Sequence, residues 1–263
     1  MNHEFDSVNN SFLKQFSLQS KVVFISASSQ GLGLAMAKAM AASGAQVYIN
    51  GRQQTVLDRV IAQASEEGIV LNGFCGDMSQ RAEIDRLMAY FKQLGLSCDV
   101  LVNSLGMRLR QDWPSFSFEQ MQAMLDSNLL APMYLSQLMA QQMAHGGRII
   151  SISSVAGPIA RVGDAVYPIT KSGISAMTRS LAVQYAKQGI CCNAIAPGAF
   201  ATESNAALAL DPVKGAHMSQ RIPMQRWGQV EEIAGLAVFL ASDLSAYLTG
   251  QVIAVDGGLS VLF

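Results

Sequence analysis

The chain is poor in everything that would staple, anchor or strongly charge it. Its four cysteines, Cys75, Cys98, Cys191 and Cys192, are spread through 263 residues. They have neither the density of a disulfide scaffold nor the paired spacing of a metal site, so all four read as reduced and mostly buried, and no metal is expected. Only 14% of residues are charged, the formal net charge is −1, and no basic block stands out. That balance excludes an electrostatic footprint for nucleic acid or for a membrane surface. No apolar run approaches the roughly 20 residues that cross a bilayer. Residues 1–16 are polar and lack the apolar centre of a signal peptide. The expectation is a cytoplasmic protein that acts on a small molecule.

What is present is apolar bulk in a regular alternation. Half of the residues are hydrophobic, enough for a large core and too many for disorder. Short runs rich in β-branched residues fall at residues 21–26 (KVVFIS), 46–50, 70–74, 99–103 (DVLVN), 148–153 (RIISIS), 190–196 and 251–255. Helical stretches fall between them at 32–43, 52–67, 80–94, 119–144, 164–188 and 231–240. Seven strands alternating with six helices predict an α/β fold: a single Rossmann-like doubly wound domain over residues 1–263, with a seven-stranded parallel sheet and helices on both faces. Residues 1–17 form a loosely ordered lead-in. Residues 200–227 are the least regular stretch, a connection long enough to be functional and here assigned to the substrate. Its apolar residues Ala206, Ala207, Leu208, Leu210 and Met218 suit a lid or a packed helix equally.

The first strand leads into Ser26-Ala27-Ser28-Ser29-Gln30-Gly31-Leu32-Gly33 and then a helix. Small residues let backbone approach a pyrophosphate, and the helix start offers unpaired N–H groups at the positive end of its dipole. An ordinary strand–turn–helix connection has the same composition. The second strand ends Asn50-Gly51-Arg52, without the carboxylate that holds a ribose 2′-hydroxyl in NAD sites. A guanidinium there can bind a 2′-phosphate, so Arg52 favours NADP(H) over NAD(H), unless it is only a solvated helix-start residue.

Tyr167 and Lys171 stand four apart in a helical stretch and share a face. A nearby ammonium lowers a phenol pKa, and such a tyrosine can exchange a proton with a carbonyl or alcohol oxygen. The bare pair occurs by chance in many helices. Ser154, 13 residues before Tyr167, follows a buried strand at the edge where such sheets bind ligands. Asn128 lies inside a long helix, where asparagine is unfavourable, so it packs or it functions.

In this order the motifs resemble the classical short-chain dehydrogenases/reductases, from about Leu18 to Phe263. The family's TGxxxGxG turn is matched by residues 26–33, and its NNAG by Asn103-Ser104-Leu105-Gly106. Its catalytic asparagine and serine fall on Asn128 and Ser154, its YxxxK on Tyr167 and Lys171, and its PG on Pro197-Gly198, with Thr202 following. The resemblance implies Tyr167 as general acid/base, and Lys171 as the residue that binds the nicotinamide ribose and lowers the tyrosine pKa. It implies that Ser154 polarises the substrate oxygen and that Asn128 anchors a water leading from Lys171 to solvent. It adds Asp77 and Met78 beside the adenine, puts Asn103, Gly106, Pro197, Gly198 and Thr202 in the cofactor site, and suggests a homotetramer.

Within the family the chain is most similar to gluconate 5-dehydrogenase-type members, through Asn50-Gly51-Arg52, Arg108, Arg110 and residues 197–203 and 221–232. That likeness puts Arg110, with Ser154 and Tyr167, against a substrate such as 5-ketogluconate; a surface-loop role for Arg110 is the alternative. Three positions depart from the family. Ala27 replaces a glycine, tolerable if its φ is negative. Ser104 and Leu105 alter NNAG. Pro168 places the catalytic helix start close to Tyr167. Two other functions fit the same residues: a 3-oxoacyl-thioester (acyl carrier protein) reductase, and a non-catalytic NADP-binding regulator.

Overall fold

The computed structural model describes residues 12–143, 145–159 and 162–262. Most of the predicted lead-in (residues 1–11) and the end of the predicted long helix at Ala144 lie outside the described residues. Seven strands form one sheet: β1 (Val22–Ile25), β2 (Gln46–Gly51), β3 (Leu71–Cys75), β4 (Val100–Asn103), β5 (Arg148–Ile152), β6 (Cys191–Pro197) and β7 (Val252–Val255). Their order is β3-β2-β1-β4-β5-β6-β7, and every pairing is parallel. The chain winds outward from β1 to β3, then returns to β4 on the other side of β1. That reversal opens a crevice at the carboxyl ends of β1 and β4, where open α/β sheets bind ligands.

Alternate side chains of each strand enter opposite cores. On one face Val23, Ile25, Val47, Ile49, Val100, Val102 and Ile150 pack against α1 (Gly31–Ala42), α2 (Gln54–Glu66) and α9 (Ala234–Ala241). On the other, Phe24, Tyr48, Phe74, Leu101 and Ile149 pack against α3 (Arg81–Gln93) and α5 (Ala131–Gln142). Strands covered on both faces need continuous apolar runs, and VVFI, VLVN and RIISI supply them.

The predicted helix 119–144 is two helices, α4 (Phe118–Leu125) and α5, joined by a π-helical turn at Asp126–Leu130. Helix α6 (Val166–Tyr185) begins one residue before Tyr167, so Pro168 falls in the first turn, where its missing N–H has no intrahelical partner to lose. Residues 200–227 carry two short helices, α7 (Ala206–Ala209) and α8 (Lys214–Gln220). None of Ala206, Ala207, Leu208, Leu210 and Met218 is buried; the segment is a wall beside the crevice rather than a packed layer. Among the described residues no helix is long and apolar enough to cross a membrane.

Candidate functional site

The cofactor side of the crevice is assembled by short polar side chains that bind backbone. Ser26 Oγ accepts from the N–H groups of Ser104 (3.0 Å) and Leu105 (3.2 Å), tying the ends of β1 and β4. The altered NNAG positions bond Ser26 through their backbone, while Ser104 Oγ lies against Gly33 and Leu105 packs on the core. Ser28 Oγ donates to Ile25 O (2.6 Å) and accepts from Asn50 N (2.9 Å). Asn50 is almost fully buried: its Oδ1 accepts from Ala27 N, and its Nδ2 donates to Phe74 O and Gly76 O. One side chain thus sews the turn to the ends of β2 and β3. Ala27 sits at φ +49°, against the expectation of a negative φ. The Asn50 and Ser28 bonds hold a left-handed conformation that costs an L-residue roughly 1–2 kcal/mol.

Helix α1 starts after Gln30, which makes no side-chain cap, and its first turn holds no acid. The N–H groups of that turn are therefore open to an anion. Gly31 has φ +59°, and a Cβ on Gly33 would stand 2.9 Å from Ala27 O, so backbone packs where a side chain would. Ser29 lies over Gly51, and Arg52 is exposed just beyond it with no carboxylate ending β2. Thr202 and Glu203 come over Gly31 from the 200s segment. Asp77 Oδ1 accepts from Ser79 N and Oγ, which orients the carboxylate, while the Met78 side chain is buried in the core and leaves only backbone at the edge. Asn103 Nδ2 donates to Ser136 Oγ and Ser151 Oγ; its Oδ1 is, among the described residues, the buried side-chain polar atom without a partner. Pro197 ends β6, and a Cβ on Gly198 would meet Asp256 at 2.6 Å. The open helix terminus, close backbone and cationic end of β2 fit a phosphate-bearing dinucleotide.

The reacting groups converge from β5, α6 and the π turn. Ser154 follows β5 and accepts from Ala156 N (3.1 Å), and its hydroxyl is among the groups that pull the Tyr167 phenol down. Lys171, one helical turn on, is buried and donates from Nζ to Ile152 O (2.7 Å). Burial pushes its ammonium down to about 8. Asn128 Oδ1 accepts from Met107 N, and its Nδ2 donates to Met107 O and Thr170 Oγ1. A Cβ on Gly106 would stand 3.3 Å from Lys171 Nζ and 3.8 Å from Asn128 Oδ1, so both side chains border the bare backbone of Gly106. The mid-helix asparagine sits in a π turn, a local form that recurs at functional sites.

Burial raises the Tyr167 phenol, and the groups pulling it down are Arg108 first, then Ser154 and Arg110. Lys171, the cation the spacing singled out, lies 5.7 Å from the ring centroid with its proton directed at Ile152. The Arg108 guanidinium instead stacks 4.5 Å over the ring. It is gripped at both ends by the fully buried Asp164 carboxylate: Nε to Oδ1 at 3.1 Å, and Nη2 to Oδ2. Sequence reasoning missed Asp164, whose only signal is an acid three residues before Tyr167. It also missed Asn50 as the organiser of the cofactor turn, and Lys214, His217 and Arg221, which line one cleft with Arg110. Among the described residues no group of three or more His, Cys, Asp or Glu side chains could hold a metal.

Residues 26–260 match the sequence profile of a family described as enoyl-(acyl carrier protein) reductase. The chain is 36% identical to gluconate 5-dehydrogenase of Gluconobacter oxydans, over 94% of this chain and 97% of that one. It is also 36% identical to a 3-oxoacyl-[acyl-carrier-protein] reductase of Synechocystis, over 92% and 98%. A crystal structure of a gluconate 5-dehydrogenase from Burkholderia cenocepacia, in complex with NADP and tartrate, superimposes with TM-score 0.90 at 32% identity, covering 96% of this chain and all of that one. With a seven-stranded parallel sheet, an open phosphate-binding turn and a Ser–Tyr–Lys cluster at its edge, the chain belongs to the short-chain dehydrogenase/reductase family.

Proposed function

We propose that the protein is an NADP(H)-preferring oxidoreductase that interconverts a ketone and a secondary alcohol on a sugar acid such as 5-ketogluconate. The observation that carries this reading is the buried Lys171, with Nζ 5.7 Å from the Tyr167 ring on which the Arg108 guanidinium stacks. NADPH, when bound, supplies the hydride. The Tyr167 hydroxyl donates its proton to the oxygen that becomes the alcohol, and the Ser154 hydroxyl holds that oxygen in place. Lys171 binds the cofactor ribose and favours the phenolate left behind; Asn128 fixes the Met107 backbone beside it. Arg110 receives the substrate carboxylate as a charge-assisted pair. Arg52 meets the 2′-phosphate; Ser26, Ser28–Gly33, Asp77, Met78, Asn103, Gly106, Pro197, Gly198 and Thr202 form the rest of the cofactor site.

The relatives named for gluconate and ketogluconate chemistry support the substrate class. A second reading, a 3-oxoacyl-thioester reductase, is favoured by the equally similar Synechocystis protein. A panel containing 5-ketogluconate and acetoacetyl thioesters, run with NADPH and NADH in parallel, separates the two. Turnover of the thioester alone sinks the sugar-acid reading, and equal rates with both cofactors sink the NADP(H) preference. The cytoplasmic homotetramer belongs to the same proposal. Its support is exposed apolar side chains on the helical layer, namely Phe118, Leu125, Leu130 and Met133. A monomeric mass by light scattering rules it out.

A further inference from the structure

The wall made by residues 200–227 carries charge that the proposed reaction does not use. Lys214, His217 and Arg221 follow one another at spacings of three and four, which puts them on one side of α8 and its C-terminal extension. All three are exposed, and they line a cleft of about 510 Å³ whose facing wall carries Arg110. Leu208, Val213 and Met218 complete the lining, and among the described residues no carboxylate lines it. The neighbouring acid, Asp211, spends Oδ1 on the N–H groups of Val213 and Lys214 at the start of α8.

Arg110 is two residues from Arg108, whose guanidinium stacks on the Tyr167 ring, so the cleft opens off the loop that borders the reacting groups. Its volume is that of a small-molecule site. A single carboxylate is satisfied by one guanidinium, and Arg110 supplies it. Lys214 and Arg221, with His217 between them, add positive potential at the same cleft, where a second anion would meet it.

We propose that this cleft is a second anion site, which takes a carboxylate or phosphate monoester at the end of the substrate remote from the reacting carbon, so that the substrate is at least a dianion. The inference rests on the sugar-acid reading above and narrows it. The cation stripe sets selectivity among sugar acids, and the reacting groups remain those already named.

The test measures binding to NADP⁺-loaded enzyme by calorimetry with three probes: D-gluconate, with one carboxylate; D-glucarate, with two; and 6-phospho-D-gluconate, with a carboxylate and a phosphate. At low salt one or both dianions bind at least about tenfold more tightly than gluconate, and the advantage shrinks as salt screens it. The better dianion identifies the second group as carboxylate or phosphate. Lys214→Met and Arg221→Met, both at exposed positions, bring the dianion-to-gluconate ratio towards one. Lys187→Met, beyond the end of α6, leaves the ratio as in wild type. A wild-type ratio near one, or a ratio untouched by both cleft variants, overturns the proposal. So does a preference for acetoacetyl-coenzyme A over both dianions, which would assign the charge to a carrier's phosphates. Turnover of the same compounds is read separately. Dianion selectivity without turnover sinks the sugar-acid reaction and keeps the site, whereas gluconate turnover without dianion selectivity does the reverse.

Discussion

The two sides of the crevice are built by opposite means. On the cofactor side Ser26, Ser28, Asn50 and Asn103 are short, neutral and buried, and Ser26, Ser28 and Asn50 bond backbone within 3.2 Å. On the side formed by the 200s segment Lys214 and Arg221 are long, charged and exposed, on a helix of seven residues and its extension. Neutral groups that bind backbone lose little by burial and fix atoms in place. Long cations keep their rotamer freedom until an anion orders them. The first side defines a shape, the second a charge, and between them stand Tyr167 and the Arg108–Asp164 pair.

That contrast can be broken at graded cost. Tyr167→Phe removes the proton donor and lowers kcat about 10²–10⁴-fold while leaving NADPH binding, read by fluorescence titration, intact. Full activity in this variant would discard the mechanism. Arg52→Glu puts a carboxylate against the 2′-phosphate site; it should weaken NADPH by about 10–100-fold, the scale of a charged hydrogen bond, and improve NADH, as parallel KM measurements would register.

Arg108→Leu takes away the cation stacked on the phenol and leaves Asp164 without that partner. Both changes disfavour the phenolate, so the pH profile of alcohol oxidation moves to higher pH and the rate at neutral pH falls about threefold to tenfold. An unmoved profile would make Arg108 a packing residue. Ala27→Gly relieves the left-handed strain at φ +49°. It should raise stability in urea by about 1 kcal/mol, less the backbone freedom that glycine adds to the unfolded chain.

Lys171 supplies the mildest test. In the folded protein its ammonium titrates near 8 rather than 10.5, so in that window the unfolded chain binds more protons and stability rises with pH. From pH 8 to 9 the cofactor-free protein should gain about 1 kcal/mol, and Lys171→Met should flatten the slope. Above pH 9 the buried thiols of Cys98 and Cys192, held protonated up to about 12, act in the opposite sense.

Much of the fold could be read from local signals, because a strand buried on both faces must be a short apolar run and a parallel partner requires a helical crossover. Ser154, Tyr167 and Lys171 were found together because 13- and four-residue spacings across one strand and one helix carry through to space. Arg108 and Asp164 are 56 residues apart, and nothing local ties a loop arginine to an acid at a helix start. The sign of φ at Ala27 was equally hidden: it is imposed by bonds from Asn50 and Ser28, not by alanine's preference. The stripe on α8 was written in the chain as cations three and four apart, but it points nowhere until the crevice supplies a facing wall. Asn128 drew notice as a residue out of place in an α-helix, and the helix gives way there to a π turn.

That turn makes chain length, rather than residue identity, the sensitive quantity along this helix. A π turn holds one residue more than the α-helical ladder accommodates. Deleting one residue on either side of Asn128 within Asp126–Leu130 would let the ladder close with the flanking helices nearly in their present orientation, but Asn128 would lose the displaced position that the extra residue gives it. Asn128 would then leave Met107 and Thr170 together, even with every polar side chain of the crevice still present. Substitutions at Leu129 or Leu130 carry no such penalty, so the segment behaves like punctuation: it can be misspelled but not shortened.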